Sequence, residues 1–376
     1  MTVLFLGLIS LLAVYSSISS LAFKREGGGT LHFLMKHGLM LVTGGVIMIY
    51  AARQQFTIYS RLSQLLIGVM AVLLLLTLLL GSNINDASRW ITIPIINQSF
   101  QTSDPAKVVL IVYLARVLGK HQDQEWTLRE VLLKLMVPVG IICGLILPAN
   151  FSTAAVLFTV CLIIMFIGQV PMKHMAMIVG AAVLAFGLLL FLANTTPGLL
   201  PRLDTWVGRI ESFGVEDHDA NYQVEHAKIA IASGGFLPNG PGSGTSRNFL
   251  PHPYSDMIYA FIVEEYGSIL GGLGLLLLYL ILLFRSVRIA GRCQKPFGSL
   301  VAVGLSLMLV MQAMINMAVA VNLVPVTGQP LPLVSMGGTS VWFTCLAIGI
   351  VLSVSRSLED QQPSTPDVKR QRTALA

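Results

Sequence analysis

Three acids stand where the chain turns from polar to apolar, in Asn248-Phe-Leu-Pro-His-Pro-Tyr-Ser-Asp256-Met-Ile-Tyr-Ala-Phe-Ile-Val-Glu264-Glu265-Tyr-Gly267. Asp256 opens the apolar run, and Glu264 and Glu265 lie inside it. A carboxylate in hydrocarbon is costly, so acids at such positions are candidates for chemistry. Asp256, at the rim of such a segment, is the first of these candidates. The structural alternative is an N-cap, its charge resting on the positive end of a helix dipole. On a continuous helix Glu264 falls about 80° round and about 12 Å deeper than Asp256, and Glu265 falls on the opposite face.

Cations form the second set. In Gln101-Thr-Ser-Asp104-Pro105-Ala-Lys107, Ser103 or Asp104 is placed to cap a helix with Pro105 in its first turn. Asp104 and Lys107 are three apart and share a helix face, as an ion pair or with Lys107 at the mouth of a site. Arg89 stands beside Trp90, a residue suited to the membrane interface. Arg202 and Lys228 lie in a long polar interval, 194–255, that also carries the acidic run Glu216-Asp217-His218-Asp219. Apolar positions around Lys228 predict a short amphipathic helix at the surface. Gly234, Gly235, Gly240, Gly242 and Gly244 then predict a flexible loop that lacks the GxxxxGK[ST] pattern of a phosphate-binding loop. His218, His226 and His252 match no zinc spacing. The turn around Asn150 has no acid and reads as a plain connection.

These residues need elements to hold them, and composition says which. Of 376 residues 55% are hydrophobic and 11% charged, against roughly 25% charged in a soluble domain. The chain is an all-α polytopic membrane protein with about ten spans, near 2–22, 32–51, 63–81, 105–119, 131–148, 152–169, 174–193, 256–284, 298–323 and 338–355. The net charge of +6 is scattered over short loops with no aromatic-basic run, which excludes nucleic acid as a partner. Most of the 24 basic residues, Arg116, Arg129, Arg285, Arg288 and Arg292 among them, fall on one side with both termini. That side is the cytoplasm by the positive-inside rule, although Lys24 and Arg25 run against it. The interval 194–255 becomes one large extracytoplasmic loop between spans seven and eight. Residues 1–357 form a single domain, and 358–376 a short disordered tail. Four dispersed cysteines give neither a disulfide framework nor a metal motif. The stretch Gln312 to Ser340, with Asn316, Pro325, Gly328, Gln329, Ser335, Gly337 and Gly338, interrupts apolar helix with Pro and Gly. Irregular backbone at membrane depth lines a cavity or is buried in protein, and here it would face Asp256.

Ala87-Ser-Arg-Trp-Ile, Gln101 to Lys107, Arg202-Leu-Asp-Thr-Trp, the Ser233-Gly-Gly run, Asp256 with Glu264-Glu265-Tyr-Gly267, and Asn316 through Pro325-Val-Thr-Gly328 to Ser335-Met-Gly-Gly resemble the SEDS family (shape, elongation, division and sporulation proteins, FtsW and RodA) in order and spacing. In Ser335-Met-Gly-Gly-Thr-Ser the chain resembles FtsW of the Bacteroidetes type slightly more than RodA. The resemblance implies peptidoglycan polymerisation from lipid II outside the bacterial inner membrane, with Asp256 as the essential acid and Lys107 matching a family lysine. Asp104 stands where the family usually has Glu, and Asn150-Phe-Ser where Asp-Leu-Gly is frequent. On this basis Asp256 is the base, and Arg89, Lys107, Arg202 and Lys228 face the departing diphosphate. Asp104, Glu264 and Ser335 line the substrate path. A divalent cation, Mg or Mn, on the loop acids is the one cofactor considered. A class B penicillin-binding protein and other divisome or elongasome proteins are implied partners. Within the family the resemblance favours a division enzyme, with a RodA-type elongation polymerase as the alternative. Two other classes stay open: a lipid II flippase using Asp256, Lys107 and Glu264 as a polar path, and a scaffold that recruits a synthase.

Overall fold

A computed structural model describes residues 1–24, 30–84, 87–93, 98–122, 124–195, 208, 213, 218–246, 249 and 254–361. The chain is a helical bundle: α1 Thr2–Lys24, α2 Thr30–Arg53, α3 Phe56–Leu80, α4 Ser103–Lys120, α5 Leu128–Glu130, α6 Val137–Ile146, α7 Phe151–Ile167 and α8 Met172–Thr195. The second half holds α9 His218–Gly234, α10 Ile258–Tyr266, α11 Gly274–Arg292, α12 Pro296–Ala320 and α13 Ser340–Gln361. Six helices among the described residues are long and apolar enough to cross a membrane: Leu31–Arg53, Phe56–Leu80, Met172–Phe191, Ile258–Arg292, Pro296–Ala320 and Ser340–Glu359. Thr2–Ser17 and Phe151–Ile167 are shorter apolar helices. The chain is therefore a multi-pass membrane protein.

Burial sorts these helices into hub and rim. Two thirds (67%) of the apolar window of α12 is buried, against 11% in α8. On α8, Val183 and Leu184 are exposed, as apolar side chains facing lipid are. The hub packs against α4, α7, α11 and α13. A Cβ on Gly304 would lie 2.7 Å from Ile164 and 2.8 Å from Ile111, so only glycine lets α12 approach α7 and α4 this closely. Gly349 plays the same part where α13 lies along α2, a Cβ there reaching 2.6 Å from the Met48 carbonyl.

Two stretches of wider π turn interrupt the helices, Val131–Met136 before α6 and Gly267–Leu273 before α11. The first precedes Pro138, which lacks an N–H, so a local change of hydrogen-bond register is the expected accommodation. Upstream, Thr127 and Glu130 form a capping box, and the Lys134 ammonium lies 2.7 Å from the Glu130 carboxylate.

The segment between α3 and α4 differs from the all-α expectation. It holds a three-stranded antiparallel sheet, β1 Ser82–Ile84, β2 Ala87–Ile93 and β3 Gln98–Gln101, in that order. The run Trp-Ile-Thr-Ile is β-branched and aromatic, and its register pairs Trp90 with Gln101 and Ile91 with Phe100. Trp90 is thus a strand residue. The amphipathic α9 also differs in setting: Val224, Ala227 and Ala230 form a small second core with Met257, Ala260, Val319 and Ala320. Its apolar face covers α10 and the end of α12 instead of a lipid surface. At the other end α13 runs on to Gln361, past the expected start of the tail, and residues 362–376 lie outside those described.

Candidate active site

Asp256 does not cap α10. The N-cap residue is Met257, which makes no side-chain cap bond, and Asp256 sits one residue earlier in the turn 254–257. It makes no cap bond, although it still stands at the N-terminal end of the helix. Asp256 is half-buried, and Ser255 Oγ donates to its Oδ1 at 2.8 Å. Among the described residues no salt bridge involves Asp256. An ionised carboxylate has about four acceptor positions, so most of its capacity is left for a donor from outside.

The turn is held by the irregular stretch between α12 and α13. Asn316 Nδ2 donates to the Asp256 carbonyl at 2.8 Å and to the Gln329 carbonyl at 2.7 Å. Ser335 Oγ donates to the Ser255 carbonyl and accepts from Leu331 N, both at 2.7 Å, and Met336 N donates to the Tyr254 carbonyl. Ser335, expected on the substrate path, is 2% exposed and instead ties the stretch to the turn. Tyr279 from α11 donates to the Pro332 carbonyl, and Ser10 from α1 to that of Val334. These anchors hold Leu333 at φ 65°, a left-handed conformation that costs a residue with a Cβ about 1–3 kcal/mol. Gly328, at φ 62°, needs no such compensation, and a Cβ there would lie 3.5 Å from Asp256 Oδ2.

Lys107 joins the same network from α4. Its Nζ is 2.9 Å from Asp104 Oδ1 and 3.4 Å from Gln312 Oε1, while Gln312 Nε2 donates to the Pro330 carbonyl at 2.9 Å. Lys107 is therefore the counter-ion of Asp104 and not of Asp256. Both are buried, with side chains 11% and 5% exposed. The cap of α4 is also shifted from expectation: Thr102 is the N-cap residue without a side-chain bond, and Ser103 and Asp104 lie within the first turn. Gln101 Nε2 donates to Ser103 Oγ, so β3 leads directly into this helix start. Three buried polar atoms here, Asp104 Oδ2, Asn316 Oδ1 and Gln329 Nε2, have no partner among the described residues. Unpaired buried polar groups cost about 1–3 kcal/mol each and are uncommon outside sites with a polar role.

The remaining expected residues fall elsewhere. Glu264 is buried, and its Oε1 accepts from Thr245 N at 2.9 Å and Ser246 N at 3.2 Å. Glu265 Oε1 accepts from Gly242 N at 2.8 Å and Ser16 Oγ at 2.5 Å. Asn239 N and Gly240 N both donate to the Glu265 carbonyl at 3.0 Å. The two glutamates thus tether the glycine-rich loop, which is pinned where flexibility was expected. Glu264 has the geometry of a tether, not of a second acid on the substrate path. Lys228 is exposed on α9. Arg89 lies on β2, its side chain outside the described residues, as is Arg202 entirely. Glu216 and Asp217, offered as metal ligands, are likewise outside, and no three His, Cys, Asp or Glu side chains meet among the described residues. Asn150 caps α7, accepting from Thr153 N. Ser255 was not singled out, and Gln312, Asn316 and Gln329 were expected only as members of the irregular stretch facing Asp256. Gln312 and Asn316, one turn apart in an apolar helix, were the available signal.

A family model described as cell cycle protein, of the FtsW, RodA and SpoVE type, matches residues 1–360. A probable peptidoglycan glycosyltransferase FtsW of Coxiella burnetii is 30% identical over 357 residues, covering 93% of each chain. One from Trichlorobacter lovleyi is 31% identical over 350 residues, covering 92% of this chain and 89% of its own. Among solved structures, a chain described under "structural coordination of polymerization and crosslinking by a peptidoglycan synthase complex" has the same fold, with a TM-score of 0.73 at 23% identity over 95% of this chain and 97% of its own. The Rod shape determining protein RodA of Thermus thermophilus superposes with a TM-score of 0.65 at 24% identity, over 94% and 96%.

Proposed function

This chain belongs to the FtsW, RodA and SpoVE family of cell cycle proteins, and from that premise we propose that it is a peptidoglycan glycosyltransferase polymerising lipid II for the septal wall. The observation that carries the chemistry is Asp256: a half-buried carboxylate in a turn held from α12 and the irregular stretch, with Ser255 as its sole hydrogen-bond partner among the described residues.

In this mechanism the 4-hydroxyl of an acceptor GlcNAc gives its proton to Asp256 as its oxygen attacks C1 of the donor MurNAc. The bond from C1 to undecaprenyl diphosphate breaks, and the diphosphate leaves with the bonding pair. Attack from the face opposite the leaving group inverts C1, by analogy with inverting glycosidases. Negative charge grows on the diphosphate, and Arg89, Arg202 and Lys228 are the cations assigned to it. Lys107, paired with Asp104, serves chiefly to position Gln312 and the backbone at Pro330.

The protein crosses the inner membrane ten times with both termini in the cytoplasm. The spans are α1, α2, α3, α4, the run 128–146, α7, α8, the run 258–292, α12 and α13. The division role rests on the FtsW designation of the relatives. The fold shared with a chain of a peptidoglycan synthase complex supports a transpeptidase partner, a class B penicillin-binding protein.

The test is purified protein given lipid II in detergent. Asp256→Asn and Asp256→Ala should each lower polymer formation at least about a hundredfold. Full polymer from both would remove Asp256 as the base. Lipid II translocation in vesicles by a wild-type protein that makes no polymer would move the assignment to transport.

A further inference from the structure

At the end of the bundle away from Asp256, a cavity of about 1020 Å³ opens between the start of α1, the end of α11 and the end of α13. Arg285, Arg288 and Arg292 line it from α11. Spaced at i, i+3 and i+7, they fall within about 60° of one helix face. All three are exposed. Among the described residues none has a salt bridge or hydrogen bond; Arg288 lies 5.9 Å from the centre of the Phe284 ring. Ser286 and Ser306, bonded to each other at 2.6 Å, contribute hydroxyl groups, and Glu359 is the single acid in the lining. Thr2, Gln294 and Ser355 add polar groups, and Leu282, Ile289, Ile348 and Leu352 give the lining its apolar part. Along the same stretch α11 exposes Ile281, Phe284 and Val287, at 43%, 61% and 48%.

We propose that this cavity binds the phosphate headgroup of an anionic phospholipid, with the acyl chains lying along the exposed apolar strip of α11. Three guanidinium groups without partners match a phosphate diester, which Arg can hold through paired donors. Free phosphate would satisfy the arginines but leave the apolar walls and strip uncovered. A zwitterionic lipid brings its own cation, which three arginines against one acid disfavour. The proposal does not depend on the glycosyltransferase assignment, because no residue of the cavity belongs to the Asp256 network.

Native mass spectrometry of the full chain in detergent, with phosphatidylglycerol, phosphatidylcholine or inorganic phosphate as probe, tests it. Phosphatidylglycerol should be retained in preference to phosphatidylcholine. Each of Arg285→Gln, Arg288→Gln and Arg292→Gln should weaken its binding about fivefold, and all three together on the order of a hundredfold. The matching lysine substitutions, which keep the charge but lose the paired donors, should weaken binding less than the glutamine ones. Lys120→Gln, Arg129→Gln and Lys173→Gln, at exposed basic residues outside the cavity, should leave it unchanged. Leu352→Trp, which adds bulk to the cavity wall and keeps every charge, should also weaken it. Equal retention of the two lipids, equal loss from the control substitutions, indifference to Leu352→Trp, or capture of inorganic phosphate as tight as that of the lipid would each overturn the proposal.

Discussion

At the scale of residues, the site separates charge that is spent from charge that is available. Lys107 and Asp104 satisfy each other inside the bundle, whereas Asp256 keeps most of its acceptor capacity. Lys107→Met alone strands a buried carboxylate and should destabilise the protein by about 3–5 kcal/mol, seen as a lowered apparent Tm. Adding Asp104→Asn removes the stranded charge and should recover most of that loss. If the pair positions the Pro330 backbone through Gln312, the stable double variant should still polymerise lipid II poorly. Wild-type polymer from it would reduce the pair to a packing device. The spacing of three already paired these two residues, but it could not show that Lys107 would be too far committed to serve Asp256.

At the scale of elements, the glycine-rich loop shows how a glutamate inside an apolar segment is accommodated. Glu264 and Glu265 each accept backbone N–H groups from 242–246, so the loop supplies the donors that hydrocarbon cannot. Gly267, at φ 73°, lets the chain pass against the Leu237 backbone, where a Cβ would come within 2.7 Å. Glu264→Gln keeps the shape but loses the charge-assisted bonds to Thr245 and Ser246. Limited proteolysis within 234–246 should become faster, with KM for lipid II unchanged. An increased KM with unchanged proteolysis would instead place Glu264 on substrate. The sequence showed two acids and five glycines in neighbouring stretches, and nothing in either stretch announced that one satisfies the other.

At the scale of the whole molecule, the bundle has a site-bearing end, a basic end and a hub helix that touches both. The proposed topology makes Cys293, the one half-exposed native cysteine after α11, cytoplasmic. A membrane-impermeant thiol reagent should label it in opened membranes and not in sealed cells. In a Cys293→Ser background, Leu237→Cys should label in sealed cells as well as in opened membranes. Labelling of Cys293 in sealed cells would invert the topology. Composition and apolar run length by themselves determined that this is a multi-pass helical membrane protein, because hydrocarbon forces backbone hydrogen bonds to close within each helix. Residue type at a polar-to-apolar boundary singled out Asp256 for the same reason: an uncompensated charge there is too costly to be incidental. Tertiary structure alone decided that Asp256 stands before α10 and is not its cap, and that Lys107 belongs to Asp104. It also decided that Gln312, Asn316 and Ser335 hold the site's backbone. Those outcomes depend on which carbonyl and which carboxylate come within about 3 Å of a donor, and partners 60 or 80 residues apart in the chain meet at that distance only once the helices pack.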